Sequence, residues 1–439
     1  MTIKTTAARP SLLRAVRNIN LRAYGMIIAL VSIMLLFQVL DVVMQNQNFI
    51  TPRNLTNVIL QNSYILILAI GMMLVIVNGH IDLSVGSVLA FCGAVSAIAL
   101  SEWGLPWYLA VLVAVGAGAL IGVWQGFWIA YVRIPAFIVT LAGMLLFRGL
   151  TLKVLGAETV GTSGTYNSLA SGYTVAGVDL RMPTLIIGVL GAVAYVLLET
   201  RSRARQARAG IAGSSQAAWV SKVVVLTAVI LVAAYTFYSY KGLPLIGWIL
   251  LVLVIFYTFI ANRTVFGRHI YAGGGNEKAA MLSGVKTKQT SFWVFVNMGA
   301  LAGLAGVIVT ARLQAATPDA GSMFELHAIA SSFIGGASMA GGVGTIIGAV
   351  IGGLVMGVMN QGMRVLGVAT DTVQVVLGLV VLAAVFFDVW NKKRASAGPI
   401  VGIAPGGSGE AKRKNRGPDD SGPAGDDSKD EEPESVGTG

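Results

Sequence analysis

Long apolar runs alternate with short polar stretches along most of the chain. Each run holds about 20 residues, the length that an α-helix needs to cross the ~30 Å hydrocarbon layer of a bilayer. The pattern therefore predicts an all-α polytopic membrane protein with roughly 10–12 transmembrane helices. The candidate spans are 22–44, 58–78, 84–100, 107–131, 135–152, 183–199, 222–240, 245–261, 291–311, 327–340, 343–362 and 371–390.

Lys and Arg residues between the runs predict the orientation of the chain, because positively charged connections stay in the cytoplasm. The basic connections are Arg133, the run 201–208, the segment 262–290 and the run 391–394. With alternating spans, all of them fall on one side, together with both termini. We expect that side to be cytoplasmic. The predicted outer loops are 45–57, 101–106, 153–182 and 312–326.

The composition supports a membrane protein and argues against several other classes. Of 439 residues, 55% are hydrophobic and 12% are charged, whereas a soluble domain has roughly a quarter charged residues. The net charge of +11 comes from residues at the ends of apolar runs, so it does not indicate nucleic-acid binding. Cys92 is the only cysteine, and His80, His269 and His327 lack metal-ligand spacing. We expect no metal and no cofactor on this chain.

The sequence divides into three segments. We expect a cytoplasmic N-terminal segment at 1–21, a transmembrane domain at 22–392 and a disordered cytoplasmic tail at 393–439. From Ser396 onward the composition changes abruptly to Gly, Pro, Ser, Asp, Glu and Lys. Such a segment cannot bury enough apolar surface to fold, which is why we predict disorder there.

Glycine concentrates inside the apolar runs. Two examples are GAGALIG at 116–122 and GALAGLAG at 299–306. Small residues at four-residue spacing let helix backbones approach closely in lipid, where no hydrophobic force drives helices together. We therefore expect most of these glycines to serve helix packing.

A faint internal repeat lays 78–95 over 336–353. In this overlay Val85-Gly86-Ser87 matches Val343-Gly344-Thr345. It predicts two similar hairpins that turn at the inner side of the membrane, as internal duplication is common in transporters. Coincidence between two glycine-rich stretches is the alternative.

Polar residues interrupt the apolar pattern most clearly in VIVNGHIDLSVGS (75–87). Asn78, His80, Asp82 and Ser84 stand together where one run ends and the next begins. Asp82 or Ser84 could simply be the N-cap of the following helix. The alternative is a break in the membrane helices that lines a substrate pathway, because irregular backbone is tolerated where it faces a cavity.

Further polar groups lie within or at the ends of other spans. Asn297, Asn360, Gln361 and Gln374 are amides, which both donate and accept hydrogen bonds and suit a neutral, hydroxyl-rich solute. We assign Asn297, Asn360 and Gln374 to the substrate pathway together with the residues of the break. Arg148 is the one obvious charge within a span, and we expect it to reach the outer surface or to bond nearby carbonyls.

One polar stretch on the cytoplasmic side, YAGGGNEKAAMLSGVKTKQT (271–290), predicts a short exposed helix. Asn276 can cap a helix that begins at Glu277, and Gly284 can end it or permit a close approach. Such a helix could rest on the lipid headgroups or dock its small apolar face in a groove of a soluble partner. The stretch follows no strand and lacks a phosphate-binding lysine pattern, so it does not indicate nucleotide binding.

Four motifs occur together in one order. They are NGHIDLSVGS, IPAFIVTLAGMLLFRGLT, YAGGGNEKAAMLSGV and FELHAIASSFIGGASMAGGVGT. This set resembles the permease subunits of ATP-binding-cassette importers for ribose, xylose, arabinose and galactose, over about 50–392. The basic loop and apolar hairpin at 200–260 make the chain most similar to the xylose permeases. The family pattern has Asp where this chain has His327.

The resemblance implies a multi-pass protein of a bacterial inner membrane that is a transport subunit and not an enzyme. It implies a second copy of the permease, a cytoplasmic ATPase and an extracytoplasmic sugar-binding protein as partners. The residues that it assigns to ATPase coupling are Asn276, Glu277, Ala279, Ala280, Ser283 and Gly284. The residues that we expect to dock the binding protein from the outer loop are Arg312, Gln314, Asp319 and Glu325.

Three other functions are compatible with parts of the sequence. A branched-chain amino-acid permease of related fold would share the coupling helix but would need charged partners for a zwitterion. A secondary sugar symporter would need neither an ATPase nor a coupling helix. A channel would need a repeated pore filter, which the sequence lacks.

Overall fold

Helices form almost the whole of the described chain. The computed structural model describes residues 21–175, 177–210 and 215–396. The helices are α1 Leu21–Gln45, α2 Pro52–Val77, α3 Val85–Ser101, α4 Trp107–Ala130, α5 Ala136–Leu155, α6 Thr165–Ser171, α7 Arg181–Arg208, α8 Gln216–Tyr240, α9 Leu245–Arg263, α10 Val265–Gly275, α11 Glu277–Leu282, α12 Thr287–Leu313, α13 Phe324–Ile334, α14 Ile346–Val365 and α15 Thr370–Ser396.

Four two-residue strands lie between the helices. Strand β1 (Val160–Gly161) pairs antiparallel with β4 (Ala315–Ala316), and β2 (Thr174–Val175) pairs antiparallel with β3 (Val178–Asp179). The first pair joins the connection after α5 to the connection after α12, two predicted outer loops. The first two-stranded sheet therefore joins two loops, and the second closes a hairpin within one loop.

The predicted all-α membrane fold is confirmed. Within the described ranges, nine helices are long and apolar enough to cross a membrane. Three shorter apolar stretches, Val85–Ser101, Phe324–Ile334 and Thr370–Ala383, account for the remaining predicted spans. The predicted N-terminal segment lies almost wholly outside the described residues, and so does the predicted tail, of which only the last turn of α15 is described.

Local capping explains several helix starts. Thr51 precedes α2 and accepts a hydrogen bond from the Asn54 amide, and Pro52 takes the first helical position, where no amide is needed. Thr264 and Thr345 cap α10 and α14 in the same way. The Thr51 cap explains why α2 begins at Pro52, ahead of residue 58, where hydropathy alone predicts its start.

Two predicted boundaries are wrong. The basic run 201–208 was expected to be a loop, but it continues α7 to Arg208, because Arg, Ala and Gln are good helix formers once the chain leaves the lipid. The span predicted at 327–340 ends already at Ile334, and an irregular segment runs to Thr345 before α14 begins. Glycines at 335, 336, 341, 342 and 344 account for this early end.

Helices α2, α12 and α14 form the centre of the molecule. Most residues in each are buried, whereas α1, α7 and α8 expose most of their apolar side chains. Helix α2 packs on α12, α13 and α14, and α12 also packs on α3 and α4. The described residues up to Lys392 form one compact unit, in which the peripheral helices present their apolar surface outward, as a protein in lipid does.

Helices α4 and α12 contact each other closely through glycines. A Cβ atom built on Gly118 would lie 2.2 Å from the Gly299 carbonyl oxygen, and one on Gly299 would lie 2.1 Å from the Gly118 oxygen. Gly122 and Gly303 make similar contacts with the facing backbone. The expectation that these runs serve helix packing is therefore confirmed for α4 and α12.

The two predicted hairpins differ in structure. Helix α13 packs on α14, but α3 leaves α2 and packs on α12, α5 and α4. The overlay of the repeat also fails residue by residue, because Val85 and Gly86 lie in helix α3 whereas Val343 and Gly344 lie in the irregular segment before α14. What the two segments share is a helix that ends in the protein and a second helix that restarts after a turn.

We predict that Gly299→Ala lowers the free energy of unfolding by about 1–3 kcal/mol, because the added methyl group overlaps the Gly118 backbone. Gly149→Ala is the matched control, since a Cβ there meets no described atom within 4 Å and alanine favours the helix. Thermal unfolding in detergent micelles measures both. Equal stability of the two variants would show that the α4–α12 contact is not tight.

Candidate functional site

The polar break after α2 is built around Asp82. Its Oδ1 accepts hydrogen bonds from the Ser84 amide at 2.8 Å and from the Ser84 hydroxyl at 2.6 Å. The Ser84 oxygen in turn accepts a hydrogen bond from Gln125 Nε2 of α4 at 2.7 Å. All three residues are buried. The break is thereby fixed to a neighbouring helix by a chain of side-chain hydrogen bonds.

The N-cap interpretation of this motif needs correction. Ser84 does occupy the position before α3, and its carbonyl accepts the Val88 amide. Its side chain makes no capping bond, because it is engaged by Asp82 and Gln125. The Ser84 side chain therefore forms hydrogen bonds within the break and does not cap α3.

Gly143 of α5 gives this chain of bonds its space. A Cβ atom at that position would lie 2.7 Å from Gln125 Nε2 and 3.4 Å from the Ser84 Cβ. Helix α5 therefore covers the buried polar chain at a distance that only glycine permits. Gln125 was not among the predicted site residues, since one glutamine in an apolar run carries no sign of its partner.

A second buried carboxylate lies beside the same end of α3. A Cβ atom on Gly86 would be 2.3 Å from Glu325 Oε2 and 2.3 Å from the Gly321 carbonyl oxygen. Arg148 of α5 donates from Nη1 to the carbonyls of Pro318 at 3.3 Å and Ala320 at 2.8 Å. Its predicted bonding to nearby carbonyls is thus confirmed. Glu325 lies within electrostatic range of Arg148 and of Asp82.

The four predicted docking residues in and beside the loop after α12 differ in exposure. Gln314 and Asp319 are exposed, as expected of docking residues, but Glu325 is buried and Arg312 is half-buried. Arg312 donates from Nη1 to the Gln61 carbonyl at 2.8 Å. The expectation that all four side chains are exposed is therefore wrong for Arg312 and Glu325, which hold the loop to the protein.

The other predicted pathway residues are not gathered at the break. Asn297 accepts a hydrogen bond from the Tyr257 hydroxyl of α9. Asn360 is buried in α14, and Gln374 is exposed on α15; both of these helices contribute to a separate apolar cluster with α1. His327 stacks on Phe324, with ring centroids 6.3 Å apart. Sequence position alone gave no means of telling these environments apart.

The polar stretch 271–290 contains the predicted short helix. Asn276 Oδ1 accepts the Ala279 amide at 3.0 Å and caps α11, which begins at Glu277. Gly284 ends the helix with φ +83° and a hydrogen bond from its amide to the Met281 carbonyl. A Cβ on Gly284 would meet no described atom within 4 Å. The positive φ of the turn therefore requires this glycine, and no close approach of another part of the chain does.

The surface of α11 differs from the expectation in one respect. Ala280 is only 5% exposed, so it packs inside this chain and is not free to contact a partner. Leu282, which was not predicted as a site residue, is 91% exposed. Its side chain is therefore available for an apolar contact outside this chain. Ala279, Ser283 and Gly284 are exposed as well.

The glycines that precede α11 join it to the break after α2. A Cβ on Gly274 would lie 1.7 Å from the Val77 carbonyl oxygen and 3.0 Å from the Gly342 amide nitrogen. That amide donates to the same Val77 oxygen at 2.8 Å. We call these three residues the glycine junction. It brings together the end of α2, the end of α10 and the irregular segment before α14.

A tyrosine supports the junction from α10. The Tyr271 hydroxyl donates to the Gly344 carbonyl at 2.8 Å. Burial raises the pKa of Tyr271, which keeps this hydroxyl protonated as a donor. A Cβ on Gly341 would lie 2.5 Å from the Gly274 oxygen. The irregular segment is thus held to α10 at several points.

A cavity of about 430 Å³ opens beside these elements. Its wall combines the loop after α2, the connection between α4 and α5, the start of α11 and the start of α12. The polar lining residues are His80, Arg133, Glu277, Lys288 and Ser291. His80 lies within electrostatic range of Glu277, and Asn78 donates to Ser291 Oγ at 2.8 Å. The break and helix α11 therefore line one cavity.

The sequence is similar to those of known transport permeases. Residues 54–385 match the family described as the permease component of branched-chain amino acid transport systems. The chain is 38% identical over 381 residues to the xylose transport system permease protein XylH of Haemophilus influenzae, covering 86% of this chain and 99% of that protein. XylH of Escherichia coli K12 is 38% identical over 380 residues, covering 86% and 94%.

Ribose permeases are also similar. The ribose import permease protein RbsC of Escherichia coli K12 is 35% identical over 366 residues, covering 83% of this chain and 94% of that protein. No solved structure gives a significant match.

We predict that Ser84→Ala destabilises the protein by about 1–3 kcal/mol, because it removes an acceptor from Gln125 and a donor from Asp82 while both remain buried. Ser87→Ala is the control: Ser87 is equally buried, and its hydroxyl has no hydrogen-bond partner in the described part of the chain. Unfolding midpoints in micelles compare them. If both variants lose the same stability, the Asp82–Ser84–Gln125 chain contributes nothing specific.

Proposed function

Because the chain belongs to the transport-permease family that its residues 54–385 match, we propose that it is the membrane-spanning subunit of an ATP-driven importer of a xylose-type pentose. It is a transport subunit and not an enzyme. Two relatives of 38% identity are named xylose permeases and one of 35% identity a ribose permease. The family description names branched-chain amino acids, so an amino-acid cargo is the alternative that the experiment below addresses.

The glycine junction is the observation that carries the mechanism. The cytoplasmic segment reaches Val77 and Gly342 with backbone contacts that leave no space for a side chain. Because packed backbone does not compress, a displacement of α11 by a soluble partner is transmitted to both irregular segments. We propose that an ATPase on a separate chain produces this displacement, with inward- and outward-facing states favoured by different states of that ATPase.

The contact with the ATPase centres on α11. We retain Asn276, Glu277, Ala279, Ser283 and Gly284 as coupling residues and add Leu282. Ala280 is buried, so it packs α11 against the rest of this chain and does not contact the ATPase. The exposed leucine suits an apolar groove on the ATPase, in which a helix presents one or two anchors.

The substrate pathway is proposed to pass the break at Asn78, His80, Asp82 and Ser84. Hydroxyl-rich solutes are recognised by side chains that donate and accept hydrogen bonds. His80 and Ser291 line the cavity beside the break, while the Asp82–Ser84–Gln125 chain holds the backbone of the break in place. A change at the glycine junction moves the start of this break. Asn297, Asn360 and Gln374 remain candidates at other positions of the pathway.

On the outer side, we propose that the loop after α12 receives a sugar-binding protein. The exposed residues Gln314 and Asp319 provide the direct contacts, while Arg312 and Glu325 position the loop through the Gln61 carbonyl and Gly86. A second copy of the permease completes the pore. Both termini lie in the cytoplasm of a bacterium, as the Lys and Arg distribution suggests.

We predict that Leu282→Glu reduces assembly with the ATPase by about 10–100-fold, because one buried leucine contributes roughly 1.5–3 kcal/mol. Measurements are pull-down in detergent and ATP-dependent uptake of labelled xylose by liposomes that contain permease, ATPase and binding protein. Residue 282 is 91% exposed, so the substitution leaves the fold intact.

Leu282→Met is the control and should preserve both assembly and uptake, since it keeps the apolar contact. Normal assembly of the glutamate variant in detergent would rule out Leu282 as the anchor. Uptake of leucine but not of xylose or ribose by the unaltered system would instead identify the amino-acid alternative, whatever the outcome for residue 282.

We predict that cysteines placed at Arg205 and at Lys278 react with a membrane-impermeant maleimide only after the cells are opened. Both positions are exposed, and the native Cys92 is buried and gives no background. A cysteine at Asp319 should react in intact cells. Labelling at 205 or 278 from outside would reverse the proposed orientation.

A further inference from the structure

The inner end of the α7–α8 pair extends beyond the membrane and is strongly basic. Helix α7 has 28 residues and is about 42 Å long, whereas the hydrocarbon layer is ~30 Å thick. Its last two turns carry Arg201, Arg203, Arg205 and Arg208, and the sequence from Thr200 to Lys222 contains no acidic residue. This end therefore lies at headgroup level with four arginines.

Arg203 and Trp219 form a stacked pair at this end. The guanidinium carbon lies 4.6 Å from the centroid of the indole ring. Arg203 Nη1 and Trp219 Nε1 are both buried and have no hydrogen-bond acceptor within the described ranges. Two neighbouring donors without an acceptor are costly in a structure, one of them on a charged group. In the described part of the chain, no anionic oxygen reaches the pair.

The opposite end of the same helix pair shows what a completed stack looks like. Arg181 lies over Tyr238, with 5.2 Å between the guanidinium carbon and the ring centroid. Its Nε donates to the Tyr238 carbonyl at 2.8 Å. The two stacks share an arginine on α7 and an aromatic residue on α8. Among the residues that the structure describes, an acceptor is found for Arg181 and none for Arg203 Nη1.

The nearest acidic residue on α7 does not supply the missing acceptor. Glu199 forms an ion pair with Lys222 of α8 at 2.7 Å. This pair fixes the two helices side by side. Arg201, Arg205 and Arg208 are exposed around the stack, and apolar side chains such as Leu198 and Val224 are exposed just inside the membrane end.

We infer that Arg203 and Trp219 bind the phosphate of an acidic phospholipid in the inner leaflet. Phosphate oxygens accept from Arg203 Nη1 and Trp219 Nε1, and the exposed arginines add attraction to an anionic headgroup. The lipid chains lie along the exposed apolar side chains of the two helices. A free anion would use the donors but not this apolar surface, which is why a lipid is the occupant.

Native mass spectrometry of the purified full chain tests this inference. Phosphatidylglycerol and phosphatidylcholine with the same acyl chains are titrated against delipidated protein in one detergent. We expect tighter binding of phosphatidylglycerol, weakened about tenfold by Arg203→Gln. Trp219→Phe, which keeps the ring and removes the N–H, should weaken it less. Arg181→Gln is the matched control and should leave it unchanged.

Several results would overturn the inference. They are equal binding of the two lipids by the unaltered protein, equal effects of Arg203→Gln and Arg181→Gln, and displacement of phosphatidylglycerol by millimolar inorganic phosphate. The last result would show that the anion alone is recognised. Thermal unfolding of each variant, matched to the unaltered protein, confirms that a change in binding is local, and Trp219→Phe serves if Arg203→Gln does not fold.

Discussion

The contact between Gly274 and the Val77 carbonyl is the constraint on which the functional parts of this molecule depend. Helix α2 ends inside the protein, and its last carbonyl needs a donor that water does not supply there. The Gly342 amide provides it at 2.8 Å, and Gly274 comes close enough to cover the bond only because it has no side chain. Three distant parts of the sequence thereby share one point, and none can shift alone.

The same principle recurs wherever the fold brings backbone to backbone. Helices α4 and α12 meet through Gly118 and Gly299, and the loop after α12 reaches α3 through Gly321 and Gly86. These contacts leave rigid centres separated by irregular segments. The Asp82 break is one of those segments, and its own hydrogen bonds join it to α4.

The sequence predicts the helices well and their contacts poorly. Runs of apolar residues show where lipid-crossing helices lie, and the Asn276 cap and the Gly284 stop follow from local chemistry. Pairings across long sequence distances leave no local trace. Gln125 and Glu325 join the surroundings of Asp82 only after folding. On the short helix α11, the contacts with the rest of the chain decide that the face with Ala280 is buried and the face with Leu282 is exposed.

The ion pair between Glu199 and Lys222 has a consequence for biosynthesis. The pair stands at the arginine-rich end of both helices, outside the hydrocarbon layer, and links α7 to α8 there. Helices α7 and α8 also fit closely where Gly188 faces Ala234, and each packs mainly on the other. The hairpin can therefore leave the insertion machinery as one unit and join the remaining helices afterwards. An insertion of this kind adds two membrane crossings without changing the orientation of any helix that follows.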